Sequence, residues 1–207
     1  MKTWPIIFAT LGILALGYCG FDLVRARLYQ AQEMGRFASE RRPKIPAAEI
    51  PPQSKSPTKA ERPYPRTGSV VAMLSIHRLG LSTIVVEGAE ERELKLGPGH
   101  IRGTALPGDG GNVGVAGHRD TFFRPLRHIR GDDAIKVITR EREFEYKVIS
   151  TEIVAPEDVW VLYPAGRETL TLITCYPFDF VGAAPQRFIV RADCVDCSEQ
   201  QNYAESE

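Results

Sequence analysis

Glu143-Phe144-Glu145-Tyr146-Lys147-Val148 alternates charged and apolar residues one by one, in a run that extends through Ile149 to Ile153. A period of two puts Phe144, Tyr146 and Val148 on one face and Glu143, Glu145 and Lys147 on the other, the pattern of a strand with one face buried and one in water. Outward from Glu143–Ile153, six more short apolar runs bounded by turn residues predict strands at Ser69–Ile76, Leu81–Val86, Asn112–Ala116, Ala134–Thr139, Glu168–Thr174 and Arg187–Ala192. Helical signals are minor: Thr121–Ile129, and Pro156–Leu162, which opens with a proline suited to a first helical position followed by acidic residues. Seven or eight strands in about 125 residues predict an all-β fold, a small closed or nearly closed barrel with one or two short helices.

Upstream of the strands the chain changes character. Thr3 to Phe21 carries no charged residue, and at about 1.5 Å per residue such a run crosses a hydrocarbon core of roughly 30 Å. It reads as an N-terminal transmembrane helix; a cleaved signal peptide and a lipid-modified Cys19 are the competing readings. Arg25, Arg27 and Arg36 follow it, a bias that taken alone would hold the body in the cytoplasm, although long domains cross largely regardless of such charges. Leu23, Val24, Leu28, Gln32 and Phe37 make a short amphipathic continuation. Seven prolines between Pro43 and Pro65 then mark a linker that, extended, spans up to about 70 Å. The chain thus divides into an anchor (1–24), a short helical stalk with a Pro-rich linker (25–66), a barrel (67–195) and a polar tail (196–207).

The charges sort along the same boundary. Residues 1–66 hold eleven Lys/Arg and five Asp/Glu, residues 67–207 fifteen and twenty-one, and the whole 207-residue chain balances at 26 against 26. With no basic footprint, nucleic-acid binding is a poor reading. The glycines of Gly108-Asp109-Gly110-Gly111-Asn112 have turn chemistry and precede a strand, so they are not a phosphate loop.

Cys175 ends the apolar strand Thr171-Leu172-Ile173-Thr174-Cys175, and Tyr176-Pro177 then leads into a loop. A lone cysteine of this kind is more often a structural hydrophobe than a nucleophile. The odds change because Gly114-Val115-Ala116-Gly117-His118-Arg119 sets a histidine at another strand exit, and Arg187 stands twelve residues after Cys175 across one loop. A thiol is mostly protonated at neutral pH, and a nearby imidazole and cation are the usual means of activating it. Cys194-x-x-Cys197 lacks a second pair with matching spacing for zinc and reads as a disulfide or as spare thiols. The acid pairs Asp132-Asp133 and Glu157-Asp158 read as a solvated face before a calcium site.

The strand with Cys175, the later Arg187, Val115–Arg119, Leu96-Gly97-Pro98-Gly99-His100, Gly103–Gly108 and Gly111–Val113 together resemble the sortases, most closely their Gram-negative, proteobacterial branch. The likeness runs from Ser69 to about Asp193. It implies a sortase-like eight-stranded barrel held at the bacterial cytoplasmic (inner) membrane by a single-pass anchor, with its catalytic domain in the periplasm. The implied activity is that of a cysteine transpeptidase acting on exported proteins that end in a Leu-Pro-x-Thr-Gly-like sorting signal. The acyl group would pass to an amine acceptor in the cell envelope or on a protein, with no metal and no cofactor. Carried over residue by residue, Cys175 is the nucleophile, His118 the acid/base partner and Arg187 the donor to the substrate or oxyanion. Thr174, Ala116, Gly117 and Arg119 are their substrate-binding neighbours. One departure stands at Ile76-His77-Arg78-Leu79, where the family commonly has Ile-Pro-x-Leu and His77 replaces the proline. The reading of a different class is a non-catalytic, membrane-tethered β-barrel binding module; a papain-like peptidase is disfavoured because its nucleophile opens a helix.

Overall fold

The structure, a computed structural model, describes residues 4–40, 63–195 and 197. Most of the Pro-rich linker and nearly all of the C-terminal tail therefore lie outside the described residues.

Strands β1 (Val70–Ile76), β2 (Leu81–Glu87), β3 (Gly99–His100), β4 (Asn112–Gly117), β5 (Ala134–Ile138), β6 (Glu143–Val154), β7 (Thr169–Tyr176) and β8 (Gln186–Cys194) close a barrel in the order β1-β2-β3-β4-β7-β8-β6-β5. The period-two reading of β6 holds through its first half: Phe144, Tyr146 and Val148 are buried in the barrel with Leu74, Ile76, Val113, Leu170 and Leu172. Beyond Val148 a register shift against β8 disturbs the alternation, and Ile149 and Ile153 face outward, about half exposed. All seven expected strands form. The eighth, β3, escaped the sequence reading because two residues carry no periodicity. The expected helical turns form only as 3-10 segments, Arg124–His128 and Val159–Leu162, shorter than the sequence suggested.

At the centre of the sheet β4 and β7 run parallel, Asn112 to Gly117 alongside Thr169 to Thr174. Both are covered on both faces, as parallel strands usually are. Leu170 and Leu172 point into the barrel. Thr171, on the other face, is fully buried and donates through Oγ1 to Asn112 Oδ1 at 2.8 Å, while Asn112 Nδ2 donates to the Val161 carbonyl of the covering 3-10 turn at 3.1 Å.

The N-terminal helix α1 (Trp4–Glu40) does not stop where the apolar run ends. Its first half is exposed and is, among the described residues, the one helix long and apolar enough to cross a membrane. Its second half lies on the barrel: Phe37 is buried against Ile84, Val86 and Ile138, with Tyr29 and Met34 packed beside it. The centre of this contact is polar. The Gln30 side chain donates to the carbonyls of Ile84 (3.2 Å) and Leu96 (2.8 Å) and accepts from the Ile84 amide (2.7 Å) and Thr83 Oγ1 (3.0 Å). β3 pairs with β2 only at Val86 and Glu87, so Gln30 covers an edge that would otherwise present unpaired backbone groups. Gly97 makes room, since a Cβ there would stand 2.4 Å from Gln30 Nε2.

Candidate active site

The register of three adjacent strands assembles the site. Gly117 of β4 lies beside Thr174 of β7, so His118 and Cys175 follow paired neighbours at the same end of the parallel pair. On the other side of β7, Cys175 is directly opposite Arg187 of β8. Opposed residues of antiparallel strands point to one face with Cβ atoms about 5 Å apart. Cysteine therefore occupies the middle strand, flanked by a histidine and an arginine, and all three are half-buried, reachable yet partly shielded from water. Cys175 is a free cysteine, whereas Cys194 and Cys197 are joined as a disulfide at the far end of β8.

Each partner is held by its surroundings. The His118 carbonyl accepts from the Phe123 amide at 3.0 Å, which fixes the turn after β4. Gly117 permits that turn: a Cβ there would meet the ring of the fully buried Phe123 at 2.6 Å. Arg187 Nη1 donates to the carbonyls of Ala184 (3.2 Å) and Gln186 (3.0 Å), which uses one nitrogen of a fork that carries five N–H groups. Tyr176, Phe178 and Phe188 pack ring on ring beside the cysteine, with centroids 5.3 to 6.3 Å apart.

Two residues that the sequence suggested as substrate contacts are engaged with backbone carbonyls. Thr174 is 2% exposed and its Oγ1 donates to the Gly117 carbonyl at 2.7 Å, stitching the His and Cys strands together. Arg119 spends its guanidinium on the loop between β7 and β8, donating to the carbonyls of Pro177 (3.0 Å), Phe180 (2.7 Å) and Gly182 (3.0 Å). Arg127, which the sequence reading passed over, grips the same loop through both carboxylate oxygens of Asp179 at 2.6 Å. Ala116 and Gly117 lie in the strand wall beside the site.

The acid pair Asp132-Asp133 is engaged by cations, and Asp158 of the other pair by a backbone amide. Arg78 pairs with Asp133, and this contact, with the Arg130 amide, holds the Asp133 carboxyl below the usual carboxylate range despite its burial. Asp132 lies 3.0 Å from Lys147, and Asp158 accepts from the Ala155 amide. His77 opens the exposed 3-10 turn His77–Leu79, which joins β1 to β2. A second histidine, His100, is fully buried, with Nδ1 2.8 Å from Glu87 Oε2 and Nε2 2.9 Å from the Ala105 carbonyl. That pair pins β3 to β2, and no periodicity in the sequence announces it.

Comparison with known proteins gives one answer. A family model described as the Sortase domain matches residues 74–195. Sortase D of Bacillus subtilis is 30% identical over 200 residues, which cover 91% of this chain and 96% of that protein. Among solved structures, a Clostridium perfringens Sortase D5 transpeptidase superposes with a TM-score of 0.58 and 29% identity, covering 63% of this chain and 82% of its own. Sortase A from Corynebacterium diphtheriae has a TM-score of 0.57 and 29% identity, covering 65% of each chain.

Proposed function

Because the chain belongs to the sortase family of cysteine transpeptidases, we propose that Cys175, His118 and Arg187 are its nucleophile, acid/base and oxyanion donor. The observation that carries this reading is the register that sets Cys175 between the His118 exit on one side and Arg187 on the other. The Cys175 thiolate attacks the carbonyl carbon before the scissile bond of a Leu-Pro-x-Thr-Gly-like sorting signal. The oxyanion is met by the remaining N–H groups of Arg187 and by backbone amides. As the C–N bond breaks, His118 in its imidazolium form gives a proton to the departing amine, leaving a thioester on Cys175. An acceptor amine, losing its proton to the now neutral His118, attacks the thioester carbonyl, and the thiolate leaves as the new amide forms. Water can take the amine's place.

Single-pass attachment through α1, an inner-membrane site, a periplasmic catalytic domain and an envelope or protein amine as acceptor belong to the same proposal. They are supported by the apolar first half of α1 and by the chemistry, which needs exported substrates. The narrower placement in a Gram-negative, proteobacterial branch rests on the sequence resemblance; the relatives compared above come from Gram-positive genera.

Intact-mass spectrometry with a sorting-signal peptide tests the reading. Wild type acquires the mass of the acyl fragment and releases the C-terminal fragment; Cys175→Ala does neither, while Cys194→Ala with Cys197→Ala does both. An adduct that persists on Cys175→Ala would remove Cys175 from the mechanism.

A further inference from the structure

Where α1 meets the barrel, Arg25 of the helix faces Arg92 and Lys95 of the short helix α2 (Glu91–Leu94) and its C-cap, and together with Glu91 and Leu96 they line an open cavity of about 330 Å³. Three cations and one carboxylate converge there from segments nearly seventy residues apart in sequence. Lys95 is 3.6 Å from Glu91, an exposed pair of little strength, whereas Arg25 and Arg92 make no ion pair among the described residues. The other acids at this level are Asp22, half-buried one turn earlier on α1, Glu90 at the N-cap of α2, and Glu93, which is buried and turned away from solvent.

The height of the cavity gives it meaning. Arg25 follows the last residue of the uncharged run, Phe21, by four residues, about 6 Å along the helix axis. The polar headgroup layer on each side of a bilayer is roughly 5–8 Å deep. If α1 crosses the membrane, as the proposed function holds, the cavity opens within the headgroup layer.

We propose that this cavity binds the phosphate of an anionic phospholipid headgroup, with Arg25, Arg92 and Lys95 as its donors and Leu96 against the glycerol. The site rests on the membrane-crossing reading of α1 and is separate from Cys175. It makes the barrel a lipid-contacting body in its own right, oriented on the bilayer by α2 as well as by its anchor.

Native mass spectrometry of the full chain in a neutral detergent, offered equal amounts of palmitoyl-oleoyl phosphatidylglycerol and phosphatidylcholine, tests it. Wild type retains one phosphatidylglycerol in preference. A cation near an anionic surface is worth about fivefold, so Arg92→Gln with Lys95→Gln lowers that preference about 30-fold. Lys136→Gln with Lys147→Gln, the same charge change on the strands β5 and β6, leaves it intact. Equal retention of the two lipids by wild type, or equal losses in the two double variants, would overturn the site. Glycerol 1-phosphate displacing the lipid at equal concentration would reassign it to a free phosphate and overturn the lipid claim. Cleavage of a sorting-signal peptide by the same samples reports on the transpeptidase reading separately: absent cleavage with the lipid preference intact supports the lipid site and defeats only that reading.

Discussion

Arg187 and Arg119 carry the same charge at the same end of the barrel, and only their hydrogen bonds separate their roles. Arg119 is consumed by three loop carbonyls, whereas Arg187 keeps most of its fork. A fork that binds two oxygens at once is not replaced by an ammonium. Arg187→Lys is therefore expected to lower kcat/KM for a sorting-signal peptide on the order of 10²-fold with an unchanged circular dichroism spectrum; near-normal turnover would make Arg187 an ordinary strand residue. At Asp133 the expectation concerns pH. Its folded-state carboxyl titrates below the unfolded value of about 3.9, because Arg78 favours the charged form. The stability it adds is then complete above that unfolded value and fades as pH falls through the folded one. The urea midpoint of wild type should exceed that of Asp133→Asn by a constant margin from pH 7 to about pH 5, and the margin should close below about pH 4. A margin that survives to pH 2 contradicts the pairing. Residue type singled out His118, Cys175 and Arg187 in the sequence because few side chains can activate a thiol, and the register brings the three to one end of the barrel. Residue type did not show that Thr174 and Arg119 donate to backbone carbonyls, since a hydroxyl or guanidinium so engaged reads the same in sequence as one turned toward a ligand.

Among the elements, β6 was readable because its alternation repeats the geometry of the pleat, and β3 was not because two residues repeat nothing. The second half of α1 was read on the wrong stripe. Leu23, Val24, Leu28 and Gln32 suggest one face, yet the helix docks through Tyr29, Gln30, Met34 and Phe37, with only Phe37 in common. An apolar stripe is the signal that sequence offers, and here the centre of the contact is an amide making four hydrogen bonds. Removing it leaves the outer N–H of Ile84 without its partner beneath the helix, and the Ile84 carbonyl with only the 3.4 Å bond from Thr83 Oγ1. Gln30→Ala should cost about 1–3 kcal/mol of docking free energy. Hydrogen exchange would register it as a rise of at least about fivefold at the Ile84 amide, with β4 and β7 unchanged; unaltered protection would mean that apolar packing alone seats the helix.

For the molecule as a whole, the three arginines that follow the apolar run oppose the topology that the chemistry requires. A long body overrides such a bias, so alkaline phosphatase fused after Glu207 should be active in intact cells; an inactive fusion at normal expression, shielded from protease in spheroplasts, would overturn the periplasmic placement. The overall division into apolar anchor and barrel was legible because each rests on composition or period. The manner of their joining was not, since it depends on one polar contact between distant segments. The chain between Glu40 and Pro63 leaves and re-enters on the barrel surface, with Glu40 held 3.1 Å from Arg140, so it bridges two fixed points. Its length cannot then set how far the enzyme reaches. Doubling it costs only about 0.6 kcal/mol of closure entropy and leaves the working height of Cys175 unchanged. One residue inserted between Phe21 and Gln30 would instead turn the anchor about 100° against the barrel and lift the barrel about 1.5 Å. The helix, and not the linker, is thus what sets both the height and the heading of the barrel relative to the apolar run.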